Sequence, residues 1–297
     1  MSALPPAPTP NEQRARGVVI VLVGTLVANW AVAGIKLALG LAAESSSLTS
    51  DGLHSFIDGA SNIVGLIAMR SAMQPADTEH PYGHSKFEAL ASLAIGIMIG
   101  AGVLELGRMA FDAIAHGVHP HVETATIIAV VGTLATNIVV TTIEKRQGQK
   151  LRSAILLADA EHTRSDVLVS LAVLSSLVLV KLGYGAADGW VALAVLGFVS
   201  FTAWSIVRRA LGVLADSAKL DPKAVAAQCV SLPDVLDVRR VRSRGLDNAV
   251  HVDLIIDVNA QLTVERAHAA ADAVERTITA AFPEVVDVVV HVEPKTA

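Results

Sequence analysis

Two short stretches carry ionisable side chains inside otherwise apolar runs. They are D-G-L-H-S-F-I-D, Asp51 to Asp58, and D-A-E-H-T-R-S-D, Asp159 to Asp166, and both read Asp-x-x-His-x-x-x-Asp. On an α-helix, positions i, i+3, i+4 and i+7 share one face. Asp51, His54 and Asp58 therefore form one stripe, and Asp159, His162 and Asp166 a second. Two imidazoles and two carboxylates, from His54, Asp58, His162 and Asp166, make a complete set of four N and O ligands for tetrahedral Zn²⁺. Imidazole titrates near neutrality and binds metal only when deprotonated, so such a site exchanges protons for metal and can run on a proton gradient. Asp51 and Asp159, nearer the ends of their runs, read as solvated vestibule acids. One His–Asp pair alone would be accounted for as hydrogen-bond glue between helices. Two pairs of identical spacing are harder to explain that way.

The elements that position these stripes read as membrane helices. The 297-residue chain is 53% hydrophobic and only 17% charged, with mean hydropathy +0.54; soluble chains carry about 25% charged residues. Aromatics are 4%, so the apolar weight lies in Ala, Val, Leu and Ile. A net charge of −5 leaves no basic footprint for nucleic acid. The single Cys229 rules out an internal disulfide and fits a reducing compartment.

Six segments reach or approach the ~20 apolar residues that cross a bilayer: 17–41, 47–70, 88–112, 123–143, 153–181 and 189–208. The preceding residues 1–16 read as a disordered cytoplasmic tail, Pro-rich and polar at its start. The first run is too long for a cleaved signal and reads as a retained helix. Lys and Arg collect on one side, at Arg14, Arg16, Arg70, Lys86, Lys145, Arg146, Lys150, Arg152, Arg208 and Arg209, with Lys181 alone near the other. The positive-inside rule then makes both termini cytoplasmic. His54 and Asp58 lie about 7 and 11 residues in from the outer side, His162 and Asp166 about 9 and 13 from the inner side. At ~1.5 Å per residue both pairs reach the bilayer midplane. Ionisable groups at that depth are functional candidates by default.

Other polar residues have quieter readings. Glu105, Arg108 and Asp112 are spaced to pair on one helix face, Gly96-x-x-x-Gly100 is a packing motif, and Asn62 stands one turn beyond Asp58 as support or a packing hydrogen bond. His116, His119 and His121 fall in an outward loop, as polar loop residues or weak metal contacts. The inner loop Q-P-A-D-T-E-H-P-Y-G-H-S-K offers Asp77, His80 and His84 for a second metal, although Pro81 and Gly83 indicate a folded loop in which spacing alone does not prove convergence.

After about residue 212 charges become frequent and apolar runs shorten. The order helix, strand, strand, helix, strand suits a compact α+β ferredoxin-like (αββαβ) domain over 213–297, its second helix opening on Thr263 as N-cap. His251 and His291 fall on the strands and His268 on the helix, with Asp237 and Glu293 nearby. Three histidines with several acids suit a regulatory metal site as well as they suit separate structural roles.

The sequence resembles the cation diffusion facilitators, a family of divalent-metal/proton antiporters. The likeness rests on six spans, the two intramembrane His/Asp pairs, the Q-P-A-D-x-x-H-P-Y-G-H loop and the cytoplasmic tail, and it covers nearly the whole chain. It implies an α-helical membrane protein in which residues 17–212 form the six-helix transport domain and 213–297 a metal-binding regulatory and dimerisation domain. It also implies a transport site at His54, Asp58, His162 and Asp166, a loop site at Asp77, His80 and His84, and tail ligands His251, His268, His291 and Glu293 at a dimer interface. Asp237 stands where some relatives have His, and Glu293 where some have Asp. Lys86 and Asp216 match a charge interlock near the dimer contact. The resemblance further implies a homodimer in a lipid bilayer, at a bacterial inner membrane, and rocking of helices around a fixed midplane site. Two His and two Asp fit Zn²⁺ as cargo and as a regulatory ion, with Fe²⁺, Co²⁺, Cd²⁺ and Mn²⁺ also compatible.

Two rival classes use the same residues. An intramembrane metalloenzyme needs an open metal position and a general base, but no H-E-x-x-H is present and four convergent ligands would close the site. A metal-sensing membrane protein would use the tail histidines but has no need of four ligands at midplane.

Overall fold

A computed structural model describes residues 10–42, 55, 56, 59–116, 124–181 and 187–295. The chain forms two compact units, Met1–Leu211 and Gly212–Ala297. The first contains α1 (Pro10–Ala42), α2 (Ala60–Ala72), α3 (Phe87–His116), α4 (Thr124–Lys150), α5 (Ala154–Lys181) and most of α6 (Ala187–Leu214).

Apolar residues on these helices point both ways. Inward, Val18 and Leu22 of α1, Ile95 and Ile99 of α3, Ile155 and Leu156 of α5, and Val199, Ala203 and Ile206 of α6 share one core. Outward, Ile20, Val27, Ile97, Leu104, Phe201 and Trp204 remain exposed. A helix apolar on all sides is a membrane span or a fully buried one, and here the outer faces are not covered by protein. Among the described residues, Gln13–Leu39, Phe87–Leu104 and Leu193–Leu214 are long and apolar enough to cross a bilayer. The halves of α4 and α5 next to their connection differ because they carry acids, and the structure buries Glu144 and Asp159.

Small residues set the helix spacing. A Cβ at Gly65 of α2 would press on Leu22 and Ile155, so the missing side chain lets α2 approach α1 and α5. Gly96 likewise abuts Ile206 and Val207 of α6, whereas Gly100 faces open space. Only the first glycine of that expected packing motif makes a close contact.

α1 begins at Pro10, so residues 10–16 are helical rather than disordered; residues 1–9 lie outside the described residues. Proline suits the first helical turn, where its missing N–H costs nothing. Arg14 then ties the helix down, donating to the Leu151 carbonyl at 2.6 Å, the Arg152 carbonyl at 3.0 Å and the Glu88 carboxylate at 2.8 Å.

The second unit follows the expected order: α7 (Pro222–Cys229), β1 (Asp237–Leu246), β2 (Ala249–Val258), α8 (Val264–Ala281) and β3 (Val285–Pro294). Asp221 caps α7 by accepting from Lys223 N, and Thr263 caps α8 by accepting from Arg266 N. The sheet order is β1-β2-β3, with β1–β2 antiparallel and β2–β3 parallel. Val250, Val252, Leu254 and Ile256 of the central strand alternate inward onto Ala270, Val274 and Ile278 of α8. Each such fully buried Val or Ile contributes about 1.5–3 kcal/mol. Gly245 takes φ +117 at the β1–β2 hairpin, where a Cβ would strike the Ala249 carbonyl.

Cys229 is buried in this core and donates to the Val225 carbonyl at 3.5 Å, and burial pushes its thiol up to about 11. The native thiol is therefore expected to resist iodoacetamide at pH 8 and to react once the chain is denatured; native labelling at the rate of an exposed thiol would contradict this burial. Because the folded value is raised above the ordinary 9.0, the stabilisation is complete below pH 9. It is lost as pH rises through 11, since the unfolded chain ionises first. The unfolding midpoint of this unit should fall across that window.

Candidate metal sites

α5 starts after a tight turn and is held there by a carboxylate from α3. Glu88 Oε1 accepts from Ala154 N at 2.8 Å and from Ser153 Oγ at 2.7 Å, placing negative charge at the helix N-terminus. From this fixed start, His162 and Asp166 fall one turn apart on the same face. Both line one cavity, together with Asn29 and Val32 of α1, Ser55 and Ser61 of the second span, and Thr133 and Asn137 of α4. His54 and Asp58, the other half of the expected transport site, lie outside the described residues, as do Asp51, His119 and His121. The neighbouring Ser55 and Ser61 bring the second span to the cavity.

Lys36 was not singled out by the sequence reading. It is 5% exposed, and its Nζ donates to Ser55 Oγ at 2.9 Å. A lone lysine in the apolar run of α1 was the available signal. Arg164, two residues from both His162 and Asp166 and so on the opposite side of the helix, pairs with Glu161 at 3.2 Å and lies over the Phe198 ring at 5.1 Å.

Near the connection between α4 and α5 a buried polar seam crosses four helices. Asn62 of α2 donates to the Asp159 carboxylate and, at 3.2 Å, to Thr25 Oγ1 of α1. Asn29 donates to Asn62 Oδ1 at 3.2 Å, and Thr163 donates to Glu144 Oε2 at 3.4 Å. Asp159 is 1% exposed, so it is not the solvated vestibule acid expected from its position near the helix start. Asn62, Ser61 and Glu144 face it instead. Glu144, also absent from the sequence reading, sits in I-E-K-R at the basic end of α4.

The loop between α2 and α3 does converge. Donor atoms of Asp77, His80 and His84 lie within 4.8 Å of one another, and this is the one His/Cys/Asp/Glu cluster of metal-ligating geometry among the described residues. Backbone does the folding: Gly83 takes φ +81 and donates to the His80 carbonyl at 2.9 Å. Asp77 Oδ1 accepts from His80 N at 2.6 Å and Glu79 N at 2.9 Å. The His80 backbone donor leads in holding the Asp77 carboxyl below its ordinary value, against a partial opposing effect of desolvation; Glu79 N–H and the two imidazoles add to the lowering. His84 is buried, and its Nδ1 faces the Pro75 carbonyl at 3.1 Å. A carbonyl only accepts, so Nδ1 carries the hydrogen toward Pro75, and Nε2 stands 3.4 Å from Asp77 Oδ2. His80 Nδ1 stands 3.5 Å from Asp77 Oδ1. A divalent cation between these atoms would be held by both rings and the carboxylate, and the Pro75 carbonyl is the kind of outer partner that orients a ligating histidine.

The tail residues are not gathered in this way. His251 pairs with Asp287 across β2–β3 at 3.3 Å, and His268 pairs with Asp272 along α8 at 3.7 Å. His291 Nε2 and Glu293 Oε1 are 3.5 Å apart on β3. Glu293 is already engaged by Arg239 at 2.7 Å, whose guanidinium also grips the buried Asp257 at 3.1 Å. Asp237 spends its Oδ1 on Val238 N at 2.8 Å. His291 thus meets Glu293, but helix and sheet register gather no three of the five expected ligands within one chain. Lys86 and Asp216 belong to different units, Lys86 just before α3 and Asp216 just after α6 at φ +55.

The chain matches the family model of the cation efflux transmembrane domain over residues 22–215 and that of the cation efflux protein cytoplasmic domain over 219–295. It is 30% identical over 262 residues to manganese efflux system protein MneS of Bacillus subtilis, covering 85% of this chain and 87% of that protein. The cation-efflux pump FieF of Pectobacterium carotovorum is also 30% identical over 262 residues, covering 85% of each chain. Among solved structures, a MamM CTD variant is 26% identical, covering 25% of this chain and 91% of that one with a TM-score of 0.24. With a helical unit and an α+β unit each matched along its length, the chain belongs to the cation efflux family, the cation diffusion facilitators, whose members are metal cation efflux transporters.

Proposed function

We propose that this protein exports divalent metal cations from the cytoplasm in exchange for protons, by alternating access around a tetrahedral site of His54, Asp58, His162 and Asp166. The observation that carries the reading is the convergence of His162 and Asp166 on one cavity that the second span also lines. Neutral imidazoles and ionised carboxylates bind the cation, and protonation from the opposite side releases it. The buried Lys36 ammonium, held on Ser55 of the cavity wall, opposes tight retention of a second positive charge. Weak enough retention is what a carrier site needs.

Zn²⁺ is the proposed cargo, on the ligand set of two His and two Asp. The likeness to a manganese efflux protein favours Mn²⁺ as the alternative. Asp77, His80 and His84 would hold a resident divalent ion in the loop with a fourth position open. The tail histidines and Glu293 would share a regulatory ion only across a homodimer, where a second copy supplies what one chain keeps apart. Lys86 and Asp216 are proposed to bridge near that contact. The assembly is placed in a bacterial inner membrane with both termini cytoplasmic.

Proteoliposome flux under an imposed pH gradient tests the reading. Zn²⁺ uptake that collapses when the gradient is dissipated is expected, with Mn²⁺ slower. Faster Mn²⁺ than Zn²⁺ would reassign the cargo, and flux indifferent to the gradient would remove proton exchange.

A further inference from the structure

α1 grips the second span at residues that fall on both sides of Asp58 in the chain. Before it, Lys36 Nζ donates to Ser55 Oγ at 2.9 Å. The Trp30 indole stacks on the Phe56 ring, with centroids 4.9 Å apart and planes 9° from parallel. After it, Trp30 also abuts the buried Gly59, and Asn29 donates to Asn62 Oδ1 at 3.2 Å. Trp30 thus spans both sides with one ring system.

The glycine makes room for that ring. A Cβ at position 59 would lie 2.5 Å from the indole Nε1 and 2.8 Å from Cδ1, closer than real Cβ atoms approach. The backbone at Gly59 has φ −61 and ψ −12, the right-handed region that alanine adopts readily. Backbone freedom is therefore not what the position requires. It requires the absence of a side chain under Trp30. Indole offers no lone pair to a metal, only an N–H, so Trp30 has no ligand role of its own. Its neighbour Asn29 lines the cavity with His162 and Asp166, which puts this stretch of α1 beside the proposed transport site.

We propose that Trp30 is a positioning residue for metal transport: seated on Phe56 and Gly59, its indole fixes the segment between them, which carries Asp58. A planar ring held on two points has little freedom, and a ligand set binds its cation tightly only when its members are held to within about 0.5 Å. Trp30 acts through Asp58 and touches no cation. The inference deepens the transport reading and rests on it, because it gives Trp30 a task only if Asp58 is a ligand.

The dependence of gradient-driven flux on Zn²⁺ concentration, measured with the full-length protein in proteoliposomes, tests the role. Loss of folded protein lowers maximal flux and leaves the half-saturating concentration in place; a misplaced ligand raises that concentration. Trp30→Ala and Gly59→Ala are each expected to raise it by about 10-fold or more, the effect of losing an outer orienting partner. Trp30→Phe keeps a ring for Phe56 and should stay near the unaltered value. The double variant Trp30→Ala with Gly59→Ala should be no worse than Trp30→Ala alone, since no indole remains for the new Cβ to strike. An unmoved half-saturation in Trp30→Ala overturns the role, as does multiplication of the two single effects in the double variant. If Gly59→Ala fails to fold, the contrast between Trp30→Phe and Trp30→Ala decides alone. Asp58→Ala separates the two readings. Undiminished flux in that variant would bring down the transport site and this inference together. Lost flux there, beside an unmoved half-saturation in Trp30→Ala, would bring down the inference only.

Discussion

Asp166→Ala is expected to lower gradient-driven Zn²⁺ flux in proteoliposomes by more than about 100-fold, because loss even of an outer partner of a metal site costs 10–100-fold in affinity. Asp166 is proposed as one of four ligands, and it lines the cavity beside His162, one turn away on α5. Its removal takes away an oxygen ligand and half of the carboxylate charge assigned to the site. A Cys or His at 166 would restore a ligand with different softness and is expected to recover part of the flux with an altered order of metals. Flux from Asp166→Ala within a factor of two of the unaltered protein would place the cation elsewhere. Binding to the loop would persist in this variant, since Asp77, His80 and His84 form a separate cluster. Flux therefore reports on the intramembrane site and total metal binding does not.

The second large effect belongs to a residue outside any metal site. Glu88 is 2% exposed and receives Arg14, Ser153 Oγ and Ala154 N, so one carboxylate fastens α1, α3 and the start of α5. Glu88→Leu would leave the Arg14 guanidinium, 16% exposed, with only the Leu151 and Arg152 carbonyls, and would strip the first turn of α5 of its anion. Breaking one side of a buried pair costs about 3–5 kcal/mol, and the thermal midpoint of the purified protein should fall by about 10 °C. Arg14→Met with Glu88→Leu together should recover much of the loss, because no charge is then stranded. A shift of less than about 2 °C in the single variant would show that the pair contributes little. The same clasp sets the starting angle of α5, so the single variant should also weaken flux through misplacement of His162 and Asp166.

Periodicity and composition were enough to identify the membrane helices and the αββαβ tail, since each depends on local pattern. The spacing of His162 and Asp166 put them on one face before any contact was known, because helix geometry has a fixed period. The cap at Thr263 was legible for the same reason: an N-cap is a short-range bond. Convergence of Asp77 with His80 and His84 was not, because it depends on the left-handed turn at Gly83 and on the Pro75 carbonyl beside His84.

Only the tertiary structure decided the fate of the remaining charges. Asp159 looked solvated from its place near a helix start, yet Asn62 and Ser61 of α2 and Glu144 of α4 enclose it. Glu144 and Lys36 gave no signal beyond their presence, because burial depends on what packs against a residue and not on its neighbours in sequence. The tail histidines shared a segment, but strand register gave His251 to Asp287, and helix spacing gave His268 to Asp272. Which residues lie on one face follows from the backbone period, and that the sequence determines alone. Which faces meet, and so which charges are paired, enclosed or open to a cation, follows from long-range packing of helices and strands, and that only the folded chain decides.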